Sequence, residues 1–121
     1  MRGLILVAVL MISGVALAAD SNSFKVRTAD DLVRACSLTQ EDPLYNNAMG
    51  LCNGVLLGAY GYYNSTIATE DRFVCSPNPT PTPAAVMNGF VVWAKAHSQY
   101  MNDLPVDTLF RYLAETYPCA K

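Results

Sequence analysis

YNNAMGLCNGVLLGAYGYYNSTIA, residues 45–68, is the stretch on which the reading of this chain turns. It reads as one long helix. Gly50, Gly54 and Gly58 fall four residues apart, so on a helix they stack three bare patches along one face. Each glycine costs about 1 kcal/mol against alanine in a helix interior. The expected compensation is the close approach of another backbone. At this spacing small residues also join helices in membranes, but Asn47, Asn53 and the tyrosines of the stretch mark a soluble helix. The glycine face is therefore expected to pack inside the domain, with a seam between two copies as the alternative.

Working outward, three shorter helices flank this one, and no convincing strand is visible. Thr28 is a candidate N-cap with Asp31 three residues on, and Leu32, Val33, Ala35 and Cys36 supply the apolar side of a helix over 29–38. Gln40-Glu41-Asp42-Pro43 ends it, since proline lacks the amide donor. After the long helix, residues 70–83 form a loop in which Pro77, Pro79, Pro81 and Pro83 alternate with other residues. That spacing enforces an extended, stiff segment, read as a rigid connector rather than a docking motif. Thr82 then caps a third helix with Pro83 at its first position. Its apolar side holds Val86, Met87, Phe90, Val91, Trp93, Ala94 and His97. A fourth helix starts near Pro105, and Val106, Leu109, Phe110 and Leu113 make one buried stripe before Tyr117-Pro118-Cys119. The expected fold is all-α: a small disulfide-stapled bundle of about four helices.

The first 18 residues read as a secretory signal. Arg2 gives a positive start, residues 4–15 are mostly apolar, and Ala16-Leu17-Ala18 supplies the small-x-small cleavage pattern. Cleavage after Ala18 or Ala19 leaves about 102 residues, enough for one small domain over residues 19–121. Without Arg2 that domain carries seven Lys+Arg against ten Asp+Glu, a charge near −3. No basic run is present, so nucleic acid and anionic membrane surfaces are poor partners.

Export places the thiols in an oxidising compartment, where an even cysteine count reads as disulfides. Cys36, Cys52, Cys75 and Cys119 allow three pairings. Helix order favours one of them. A short loop makes the first two helices antiparallel, which brings Cys36 to Cys52, and the end of the fourth helix returns toward the start of the third, which brings Cys119 to Cys75. A zinc site is disfavoured, because the cysteine gaps are wide and His97 is the one histidine.

Nothing in the sequence assembles a nucleophile, a base and an orienting group, so no catalytic residue, no metal and no cofactor is expected. His97 reads as structural. Asn64-Ser65-Thr66 fits a glycosylation sequon but falls within the long helix. The seven tyrosines suit a binding protein, because tyrosine offers a large area with a polar tip. For Tyr60 and Tyr63, interface and core roles stand level.

Phe24, Thr28 and Leu32 before Cys36, then Cys52-Asn53-Gly54 with Gly58, then Cys75-Ser76-Pro77 with Thr82, then Tyr117-Pro118-Cys119 together resemble the Rap/Tai family of type VI secretion immunity proteins. The likeness covers nearly the whole chain after the signal. The alternating prolines after Ser76 and the additional glycines at Gly50 and Gly61 depart from the family pattern. The resemblance implies a periplasmic, all-helical, often dimeric protein. Such a protein binds a peptidoglycan amidase effector and occludes its cleft, with no chemistry of its own. The alternative function is a periplasmic stress chaperone or envelope-maintenance protein without a toxin partner. Helix ends and loops protrude into clefts better than committed helix faces do. The expected partner-binding residues are therefore Glu70, Asp71 and Arg72 at one corner, and Gln99 and Asp103, which bound the turn before the fourth helix.

Overall fold

Thr28 opens the first helix with a complete capping box. Its Oγ1 accepts from the Asp31 N–H at 3.2 Å, while the Asp31 carboxylate accepts from the N–H groups of Thr28 at 3.1 Å and Arg27 at 3.0 Å. Those two backbone donors, Arg27 first, hold the Asp31 carboxyl below its usual range. The next orphan amides find partners in a distant turn: Ala29 N–H donates to Asp103 O and Asp30 N–H to Met101 O.

The computed structural model describes residues 24–121, and the segment read as an export signal lies outside them. Four helices follow in order: α1 (Ala29–Cys36), α2 (Tyr45–Thr66), α3 (Pro83–Lys95) and α4 (Pro105–Thr116). Short 3-10 turns lie at Thr69–Asp71 and Ser98–Tyr100. No strand forms among the described residues; Val74 and Pro118 make a single antiparallel bridge. The all-α expectation holds, with two boundaries shortened. α1 stops at Cys36 rather than Leu38 because Ser37 N–H turns back to Arg34 O. α2 stops at Thr66 rather than Ala68 because Ile67 swings to extended backbone.

Both predicted disulfides are present. Cys36–Cys52 joins α1 to α2 with a Cα–Cα distance of 5.7 Å, and Cys75–Cys119 joins the loop before α3 to the chain after α4 at 4.8 Å. Beside the second pair, Cys75 N–H donates to Tyr117 O at 2.9 Å and Cys119 N–H to Phe73 O. The core between these staples is built from Leu32, Phe90, Leu109, Tyr112 and Leu113, all nearly inaccessible. Burial, followed by the neighbouring Tyr117 hydroxyl, pushes the Tyr112 phenol up to about 12. Thr108, fully buried in the core, donates to Tyr100 O.

The expectation for the glycines of α2 is overturned. A Cβ at Gly50, Gly54, Gly58 or Gly61 would meet no atom within 4 Å. The buried stripe of α2 is Ala48, Cys52, Leu56 and Tyr63 on the opposite side. Close approach occurs instead at Gly89 of α3, where a Cβ would fall onto the Tyr112 hydroxyl of α4.

The proline segment is not a straight rod. It bends at Asn78 and Pro79, which are joined by a cis peptide bond, and Ser76 Oγ reaches Thr80 Oγ1 across the bend. Thr82 caps α3 as expected, accepting from Ala85 N–H at 3.1 Å.

Candidate protein-interaction surface

The outward face of α2 is built from the residues the core does not use. None of its 22 residues is charged, so this face lacks the charged side chains of an ordinary solvated helix; its exposed polar groups, among them Asn47 and Ser65, are neutral. Gly50, Gly54, Gly58 and Gly61 leave backbone bare along it. Leu57 stands among them 57% exposed, and Tyr62 at the far end is 72% exposed. An exposed Leu alone means little, but apolar side chains grouped around bare backbone mark a contact surface.

Where α2 meets α4, Gly54, Gly58 and Tyr62 line a shallow groove with Val106 and Phe110. Phe73 continues it. The residue is 52% exposed, and its ring packs edge-on to Tyr63 at 5.3 Å and to Phe110 at 6.4 Å. Tyr63 itself is buried and structural: its hydroxyl accepts from the N–H groups of Phe73 at 2.8 Å and Val74 at 3.1 Å. Tyr60 lies half-buried beside it. The even choice for these two tyrosines thus resolves to core for Tyr63.

The five residues expected to touch a partner fall in two places. Glu70 and Asp71 are exposed on the 3-10 turn after α2. Arg72 follows them but is committed elsewhere: its guanidinium donates to Asn64 O at 2.7 Å and Ile67 O at 3.3 Å, closing the end of α2. Gln99 is exposed and Asp103 half-buried on the turn between α3 and α4. That turn is rigid, because the α1 amides hold its carbonyls and Arg111 stacks over the Tyr100 ring at 4.8 Å. No hydrogen bond or ion pair joins the two groups among the described residues. His97 lies past the end of α3 rather than on its apolar side. It stacks on Trp93 at 4.1 Å with Nδ1 against the Trp93 carbonyl. Trp93 in turn donates to Glu115 at 2.9 Å, tying α3 to α4.

Leu57, Tyr62 and Phe73 were not singled out from the sequence. The signal lay in the helical wheel of α2: Leu57 falls about 20° from Gly50 in angle, at the edge of the glycine stripe and on the side away from Cys52.

No group of three or more His, Cys, Asp or Glu suited to a metal ion occurs among the described residues. Nor does any helix there have the length and apolarity to cross a membrane. No curated protein and no solved structure matches the chain. A family model does match, that of the Rap1a immunity proteins, over residues 28–119, from the α1 cap to the last disulfide cysteine. The chain belongs to the Rap1a immunity protein family.

Proposed function

We propose that this protein acts in the periplasm, where it binds and occludes a type VI secreted peptidoglycan amidase effector and so prevents self-intoxication. The observation that carries the reading is the uncharged, glycine-bared face of α2, in a member of an immunity family whose own disulfides are closed. An immunity protein needs a rigid surface that the core does not consume. The bundle offers one along α2, ending at the exposed Glu70 and Asp71 corner, with the turn carrying Gln99 and Asp103 as a second point of contact. Arg72 contributes by holding that corner against the end of α2. Two disulfides keep the scaffold folded in an oxidising compartment, worth about 3 and about 4 kcal/mol in the loop-closure account. A second copy seated on the α2 face is the homodimeric form of the same scaffold.

The reading expects a small peptidoglycan hydrolase to be encoded beside this chain, and that effector is the partner for the test. Purified protein lacking residues 1–19 should bind that effector and stop its release of peptides from peptidoglycan at one-to-one stoichiometry. Asp71→Lys and Asp103→Lys should each weaken the complex. Uninhibited hydrolysis at excess protein would defeat the reading; unchanged affinity in both variants would remove those two contacts alone.

A further inference from the structure

A second feature lies at the edge of the α2 face. Between α2, the proline segment and the end of α4 is a cavity of about 250 Å³. Leu56, Leu57, Pro81, Val86, Leu113 and Tyr117 supply its walls, and almost all of its surface is carbon. No charged residue lines it. The two hydroxyls that the proline segment brings there are occupied: Ser76 Oγ lies 3.3 Å from Thr80 Oγ1 and 3.4 Å from Pro77 O. A cavity of about 150 Å³ with apolar walls already admits benzene, so 250 Å³ has room for one aromatic or large aliphatic side chain.

Two observations choose between a free small molecule and a side chain of a protein. Sites for small molecules place a few polar groups so as to fix orientation, and this interior is almost all carbon, with Tyr60 and Tyr117 the other hydroxyl-bearing residues in its wall. A side chain needs no such groups, because its own backbone is oriented from outside. The surroundings supply that orientation. Cys75, Ser76, Pro77 and Tyr117 also line a second, more polar groove along the Cys75–Cys119 staple, and that groove reaches Glu70 and Arg72. Leu57 belongs both to the cavity wall and to the exposed α2 face. The cavity therefore sits between the α2 face and the corner that the proposed function assigns to the effector.

We propose that this cavity is the anchor pocket of the complex, taking one uncharged aromatic or large aliphatic side chain from the bound effector. An anchor filling a dry pocket with a polar rim is the arrangement in which binding energy concentrates. The inference rests on the effector-binding reading, and the experiment separates the two. Leu57→Asp puts a charge at the mouth of the pocket on a residue already exposed, and Thr80→Trp fills the pocket from the proline segment. Val92→Asp makes the same apolar-to-charged change on α3 at a residue 72% exposed and outside the pocket. Calorimetric titration with the neighbouring effector should show affinity reduced tenfold or more by Leu57→Asp and by Thr80→Trp, unchanged in Val92→Asp, with Tm preserved in all three. Wild-type affinity in Leu57→Asp and Thr80→Trp overturns the anchor pocket and leaves effector binding intact. Equal loss in Val92→Asp overturns it as well, since the effect is then one of charge. Self-association that Leu57→Asp abolishes, with effector binding kept, assigns the pocket to a second copy and overturns the proposed occupant. No binding by the wild-type chain defeats the underlying reading.

Discussion

Glycine does opposite work on α2 and on α3. Along α2, Gly50, Gly54, Gly58 and Gly61 face open space. On α3, Gly89 lies directly under the hydroxyl of Tyr112, and no larger residue fits without movement. The α3–α4 seam is a finished interface. Phe90 is fully buried with its ring 5.9 Å from that of Tyr112, and Trp93 reaches Glu115 across the same contact. The α2 face has the composition of a close helix contact with nothing within the chain to contact. A helix that gives up about 1 kcal/mol per glycine without internal compensation is consistent with a surface kept for something outside the chain.

The seam should fail first when it is attacked. Phe90→Ala removes a fully buried ring and is expected to cost about 3–5 kcal/mol in urea unfolding. Gly89→Ala is expected to cost about 1–3 kcal/mol, because the added methyl forces the Tyr112 ring to shift. Removing the obstructing hydroxyl should relieve part of that cost. Gly89→Ala made in a Tyr112→Phe background should therefore cost measurably less than in the wild type. Equal costs in the two backgrounds would show that Gly89 is not held by Tyr112.

The same phenol makes the seam alkali-sensitive. Its ordinary value is 10.0, and in the fold it is pushed up to about 12. Below pH 10 both states hold the proton and the contribution to stability is fully present. Above it, the unfolded chain loses the proton first, so stability falls until pH passes about 12. Unfolding midpoints measured between pH 9 and pH 12 should drop in the wild type and drop less steeply in Tyr112→Phe. Parallel slopes would count against burial of the phenol.

Much of this arrangement could be read in the sequence. Pro83 and Pro105 sit at the first positions of α3 and α4, where their fixed geometry announces a helix start. Short connections then dictate which cysteines meet. What misled was the direction of the α2 face. A four-residue glycine spacing defines a stripe, not whether it points in or out. Cys52 carried the missing sign: it lies two residues after Gly50 and two before Gly54, about half a helical turn from both. Its bond to Cys36 pulls that side against α1 and turns the glycines outward. The exposed corner at Glu70 and Asp71 was legible as loop chemistry. The role of Arg72 was not, because its acceptors at Asn64 and Ile67 come within reach only once the chain reverses after α2. The cavity under the proline segment was also hidden, since alternating prolines suggest a straight connector and only the bend at Asn78 and Pro79 lays the segment beside α2 and α3.

The smallest expected effect is the one that distinguishes the two glycine roles. Gly54→Ala adds a methyl that meets nothing within 4 Å. In the free protein it should be neutral or stabilising by up to about 1 kcal/mol, from helix propensity and the reduced freedom of the unfolded chain. That sign is opposite to Gly89→Ala, and urea unfolding of the two variants compares them directly. If Gly54→Ala destabilises the free protein, α2 is packed against something within the chain and the contrast collapses. If it stabilises the free protein but weakens the effector complex or a dimer, the bare backbone is the contact surface itself. Stability would then have been given up on α2 for recognition, whereas at Gly89 the glycine serves only the fold.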